Sequence, residues 1–126
     1  MASIYLDTHV VIWLYEGNLK LLSQKAAYKI EQADLLISPM VKLELQYLYE
    51  VGRKNHDAST VLNGLQNIID LSVDTRKYRK IVDHSLGLDW TRDPFDRLIA
   101  AQAEVMKTLL LTKDTRLLEH CKQAVW

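Results

Sequence analysis

Four carboxylates in this chain stand where they can do chemistry: Asp7, Glu44, Asp96 and Asp114. Each also has an ordinary local account. Asp7 and Asp114 follow short apolar runs and can cap what comes next, Glu44 is a polar position early in a helix, and Asp96 can join Asp93 in complementing a helix start. Taken together they suggest a different role. Carboxylates held within a few ångströms of each other repel and gain proton affinity unless a cation neutralises them. A ligand set made only of oxygen favours Mg²⁺, or Mn²⁺, over zinc. Whether that chemistry is available depends on the elements that carry the four residues.

The most legible of these elements is TRDPFDRLIAAQAEVM, residues 91–106. Asp93 followed by Pro94 reads as an N-cap and a first helical residue, because proline fixes φ near the helical value and its missing N–H is not needed there. Phe95, Leu98, Ile99, Gln102, Ala103 and Met106 then recur at the spacing of one buried helix face. Asp96 lies in the first turn, away from that stripe. Earlier in the chain, SIYL (3–6) reads as a buried strand ending at Asp7-Thr8, and Val10, Val11, Trp13 and Leu14 give a helical face that fades at Glu16-Gly17-Asn18. Ser23 caps a second helix with Ala26, Ala27, Ile30 and Ala33 inward. LLIS (35–38) is a second buried strand, and the helix from Met40 to Val51 carries Glu44 in its early part.

Residues 58–68 predict a helix with Val61, Leu62, Leu65 and Ile68 inward, and 69–73 a short strand. Asp74 or Thr75 then caps a basic helix that turns Tyr78, Ile81 and Val82 inward. TLLLT (108–112) is a buried strand ending at Lys113-Asp114. Leu117 and Leu118 start a closing helix, and 124–126 form a last edge strand. Nearly all-apolar strands alternating with helices predict a parallel sheet covered on both faces. In such sheets the functional crevice lies beyond the carboxyl ends of the strands, so the four acids can meet there.

Composition narrows the class. The 126 residues, 48% of them hydrophobic, suit one domain with a substantial core. Sixteen Lys and Arg against sixteen Asp and Glu exclude both a global basic field and an acidic disordered chain. The single cysteine, Cys121, allows no internal disulfide and suits a reducing cytoplasm. No basic leader and no apolar run of ~20 residues is present, which points to a cytoplasmic protein without a membrane partner. His9, His56, His84 and His120 lack paired metal spacing and read as surface or boundary residues. Trp13, Trp90 and Trp126 can stack bases, although Trp13 fits the core better. The basic run Arg76, Lys77, Arg79, Lys80 is a solvated helix face or an RNA phosphate track. Tyr47, Leu48, Tyr49 and Val51 give their helix more apolar width than one face requires, so the surface around Trp13, Tyr47 and Leu48 is expected to serve self-association or docking of a partner.

IYLDTHVVIW with Asp7, the helix of Glu44, DPFDRLIAAQA and LLLTKDTRL resemble the PIN-domain ribonucleases, and more narrowly the VapC-type toxins of bacterial toxin–antitoxin pairs. DPFDRLIAAQA is the most specific of these motifs. The resemblance implies a five-stranded parallel sheet in a three-layer α/β/α sandwich over residues 1–126. It also implies Mg²⁺- or Mn²⁺-dependent cleavage of RNA, a small antitoxin as partner, and a homodimer. By the same resemblance Asp7, Glu44, Asp96 and Asp114 occupy the family's acidic positions, and Thr8 and Thr112 flank them. Asp7 and Asp96 are then direct metal ligands, while Glu44 and Asp114 hold a second ion or orient water. Asp93 either joins the site or only caps.

Two other readings compete. In the first, a phosphatase uses Asp7 as nucleophile beside Lys113, but the second acid such a site wants two residues on is His9 here. In the second, a receiver-like module takes a phosphoryl group on Asp74, with Asp7 binding magnesium. That reading leaves Glu44 and DPFD unexplained.

Overall fold

A computed structural model of the chain describes residues 2–126. Strands β1 (Ser3–Leu6), β2 (Asp34–Ile37), β3 (Leu71–Val73), β4 (Leu110–Leu111) and β5 (Ala124–Val125) form a sheet in the order β3-β2-β1-β4-β5, parallel at every pairing. Among the described residues, seven helices flank it: α1 (Thr8–Glu16), α2 (Gln24–Gln32), α3 (Pro39–Glu50), α4 (Ala58–Gln66), α5 (Tyr78–Ser85), α6 (Pro94–Val105) and α7 (Thr115–His120). This is the expected three-layer α/β/α arrangement. Ile4, Leu6, Leu35, Ile37, Leu71, Leu110 and Leu111 on the strands are buried between the helical layers, as a sheet covered on both faces requires.

The strand order creates the crevice. The chain lays β1, steps outward through β2 to β3, then returns past β1 to place β4 and β5 on its other side. That reversal leaves a switch point between β1 and β4, where the connections leave in opposite directions and a cleft opens beyond the carboxyl ends. Register sets what faces it. Tyr5 pairs with Leu110 and Leu6 with Leu111, so Asp7 and Thr112 emerge side by side, and the Asp7 N–H donates to the Leu111 carbonyl at 3.0 Å.

Side-chain caps start most of the helices: Asp7 for α1, Ser23 for α2, Ser38 for α3, Asp57 for α4, Asp93 for α6 and Asp114 for α7. Each such cap is worth ~1 kcal/mol, and Pro39 and Pro94 at first helical positions reinforce two of them.

α5 departs from expectation. Neither Asp74 nor Thr75 caps it. Its N-cap position is Lys77, at a left-handed φ of 56° and without a side-chain cap, because the Asp74 carboxylate is engaged elsewhere. Of the residues expected inward on α5, Ile81 is buried while Tyr78 and Val82 are exposed. α4 ends at Gln66, which leaves Ile68 exposed rather than inward. Leu48 is buried and so forms no part of an apolar surface, whereas Leu43, Tyr47, Tyr49 and Val51 of the same region are exposed. Trp13 packs edge-on against Trp126, with ring centroids 5.9 Å apart.

Candidate active site

Asp7 directly follows the carboxyl end of β1 and is buried. Its Oδ1 accepts the Thr8 N–H at 2.8 Å and its Oδ2 accepts the Thr112 hydroxyl at 2.6 Å. The Thr112 oxygen in turn accepts the Asp114 N–H at 3.0 Å, and Asp114 Oδ1 takes the N–H groups of Arg116 (2.9 Å) and Leu117 (3.1 Å) at the start of α7. One chain of hydrogen bonds therefore fixes the ends of β1 and β4 together. The buried hydroxyl of Thr8 donates to Glu44 Oε1, which ties the middle of α3 to the start of α1.

α6 brings the remaining acids. Asp93 Oδ1 accepts the N–H of Phe95 at 2.8 Å and of Asp96 at 3.4 Å, and the half-buried Asp96 points into the site with no hydrogen-bonding or ion-pair partner among the described residues. Arg97, the other charged residue of the DPFDR motif, turns away. Its guanidinium donates to the Ser85 carbonyl at 3.1 and 3.0 Å and to the Leu86 carbonyl at 3.2 Å, closing the exposed end of α5 and fixing α6 against it. Phe95 packs on Tyr47 of α3, with ring centroids 5.7 Å apart. These contacts hold Asp96 and Glu44 in one frame.

The acids lie within charge–charge range of one another. Burial, then the charges of Asp93, Asp7, Asp114 and Glu44, push Asp96 up to about 7. Burial pushes Glu44 up to about 7 as well, with Asp7, Asp93 and Asp114 adding repulsion and the Thr8 hydroxyl opposing it. Burial also raises Asp7, against the hydrogen bonds from Thr112 and Thr8. No Lys, Arg or His forms an ion pair with Asp7, Glu44, Asp93, Asp96 or Asp114 among the described residues. Among the same residues, no three His, Cys, Asp or Glu side chains close into a ready-made metal cage. An all-oxygen set, desolvated, mutually repelling and ion-paired to no Lys, Arg or His, with only the charge of His9 acting on Asp7, fits a divalent ion.

Asp74 lies outside this group. It is buried, its carboxylate accepts from the Arg76 guanidinium at 2.9 and 3.0 Å and from the Tyr5 hydroxyl at 2.5 Å, and these partners, Arg76 foremost, hold it down at about 2. Its backbone carbonyl accepts from Gln102 at 2.8 Å. A carboxylate so enclosed is a structural tie, not a phosphoryl acceptor. The four histidines are exposed, in line with the sequence. The Thr8 to Glu44 link and the Asp74 network join residues 36 and 69 positions apart, and no local pattern announces either.

A switch-point crevice floored by acids from β1, α3, α6 and the end of β4 defines a class of protein, and residues 4–123 match the PIN domain model: the chain belongs to the PIN-domain family. Among its relatives is Ribonuclease VapC22 of Mycobacterium tuberculosis (strain ATCC 25618 / H37Rv), 33% identical over 123 residues, which cover 95% of this chain and 93% of that protein. A toxin-antitoxin complex from Klebsiella pneumoniae has a chain that superposes with a TM-score of 0.68 at 17% identity, covering 98% of this chain and 96% of the other. DNA-bound VapBC from Salmonella typhimurium gives 0.65 at 18% identity, with 98% and 96% covered. At these identities the likeness to solved structures is one of fold. The family read from DPFDRLIAAQA and its companion motifs is borne out. Among the described residues, no helix is long and apolar enough to cross a membrane.

Proposed function

We propose that this protein is a divalent-metal-dependent endoribonuclease of the VapC type, the toxin of a toxin–antitoxin pair, working in the cytoplasm with residues 1–126 as one nuclease domain. The observation that supports the reading is that Asp7, Glu44, Asp96 and Asp114 repel one another at the switch point with none of them ion-paired to a Lys, Arg or His among the described residues. A relative named as a ribonuclease at 33% identity supports it. A bound Mg²⁺ or Mn²⁺ would supply Lewis acidity toward a phosphodiester and offset the charge developing there. Asp7 and Asp96 would hold the ion, Asp7 fixed by Thr112 and Thr8, and Asp96 presented by the first turn of α6. Glu44 and Asp114 would hold a second ion or orient the attacking water, with the Thr8 hydroxyl tethering Glu44.

The partner is a small antitoxin, and two copies of the chain associate through the exposed apolar residues Leu43, Tyr47 and Tyr49 of α3. An antitoxin arginine offered to the carboxylates inhibits by replacing the ion, since its planar fork meets two oxygens and stays charged when desolvated. Purified protein is expected to cut RNA with Mg²⁺ or Mn²⁺, to stop in excess EDTA and to recover when metal is returned. Cleavage unchanged by EDTA would sink the proposal.

A further inference from the structure

Beside the crevice, α7 and the loop leading into α6 share an aromatic stack. The rings of Trp90 and His120 lie 5.1 Å apart at 11°. Arg116, one helical turn before His120, holds its guanidinium carbon 6.0 Å from the Trp90 ring centroid and donates to the Trp90 carbonyl. The Trp90 indole N–H is buried without a hydrogen-bond partner, so packing and stacking place this ring, not a polar anchor. The His120 side chain is 43% exposed, with one face against Trp90 and Glu119 Oε2 3.8 Å from its Nε2. The rest of the side chain is accessible from solvent. Both components join the acidic site directly: Trp90 lies three residues before Asp93, and the N–H of Arg116 donates to Asp114.

We propose that the open face of His120, backed by Trp90 and flanked by Arg116, is a stacking platform for one unpaired base of the RNA, a few nucleotides from the scissile phosphate. The idea rests on the nuclease reading above and adds to it a subsite for single-stranded substrate. A ring pair held parallel presents a ready π surface at little further ordering cost, and every base offers a matching face. The crevice itself is acidic, so a polyanion needs positive charge at the rim, which the exposed Arg92, Lys113 and Arg116 supply. Charged neighbours of this kind suit a nucleic-acid strand better than an apolar protein contact. A base paired within a duplex has no free face, so the platform selects single strands.

The test is equilibrium binding of a short single-stranded RNA, in EDTA so that nothing is cut, to the wild type, His120→Ala and His120→Phe. Alanine is expected to weaken binding about tenfold. Phenylalanine, which keeps the flat face, should hold wild-type affinity, and a duplex of the same sequence should not distinguish the three. Equal affinity of wild type and His120→Ala overturns the platform and leaves the face to a protein contact. A His120→Phe as weak as the alanine variant overturns it too, as does a wild type that binds no single strand. Metal-dependent cleavage by the wild type is assayed separately. Its absence would remove the nuclease reading, while the binding series would still decide the platform.

Discussion

Thr112 donates its hydroxyl to Asp7 at 2.6 Å across 105 positions of sequence and accepts the Asp114 N–H with the same oxygen. Thr112→Val keeps the shape of the side chain and removes both bonds, leaving a buried carboxylate short of a donor. A loss of about 2 kcal/mol in urea unfolding is expected, with Thr112→Ser recovering most of it. A valine variant as stable as wild type would show that Asp7 does not depend on this hydroxyl.

Asp96→Asn tests the crowding of charge. The Asp96 carboxylate has no hydrogen-bonding partner to lose among the described residues and feels Asp93, Asp7, Asp114 and Glu44 as repulsion. Without metal, the asparagine variant is expected to melt at or above the wild-type temperature, while RNA cleavage falls by ~10²-fold or more. A variant that unfolds would mean that Asp96 serves the start of α6 and not the crevice.

Stability should depend on pH in one direction. In an unfolded chain Glu44 and Asp96 titrate near ~4, whereas burial first and like charges after it hold both at about 7 in the folded protein. The folded state thus keeps protons that the unfolded state has released, so the metal-free protein loses stability as pH rises from about 4 through about 7 and levels off above. Asp7, also raised, acts in the same sense. Asp74, held down at about 2, acts oppositely and only in acid, its contribution fading as pH falls below about 4. Mg²⁺ or Mn²⁺ should restore stability at about pH 8 and do little at about pH 5. Metal-free melts that stay flat or rise across that interval would contradict the charge arrangement.

The Asp74 tie predicts what the protein does not do. A beryllofluoride mimic or a small phosphoryl donor should modify neither Asp74 nor Asp7, as mass spectrometry can read directly. Tyr5→Phe removes the hydroxyl that reaches Asp74 and should cost about 1–2 kcal/mol, since Arg76 remains to satisfy the carboxylate. Phosphorylation at Asp74 would revive the receiver reading.

What the sequence made legible was short-range. Asp93-Pro94 announced α6 with its cap and register, and the apolar runs SIYL, LLIS and TLLLT marked β1, β2 and β4 because buried parallel strands need nothing else. The start of α5 was misread because both a distant and a near partner take the Asp74 carboxylate. Asp74 looked like a helix cap, but Tyr5 and Arg76 claim its carboxylate, and α5 starts instead at Lys77 in a left-handed turn. Of TLLLT, only Leu110 and Leu111 form the strand. Asp7 and Asp114 were singled out because each follows a strand and Asp96 because it opens a helix, whereas Glu44, in the middle of α3, carried no such boundary signal. Their roles in chemistry remain the proposal made above. Thr8 as the clasp on Glu44 depends on the packing of α1 against α3, which no spacing within either helix encodes.

The strand order also fixes when in synthesis this protein can acquire its site. β1 is the first strand made and lies at the centre of the sheet. It gains β2 by Ile37 but must wait for Leu110 and Leu111 before its other edge is covered. Until then Asp7 has neither Thr112 beside it nor Asp114 across the cleft, and its hydrogen-bonding edge stays open. A nascent chain on the ribosome therefore carries half a crevice for most of its elongation, and a truncation before β4 leaves it in that state.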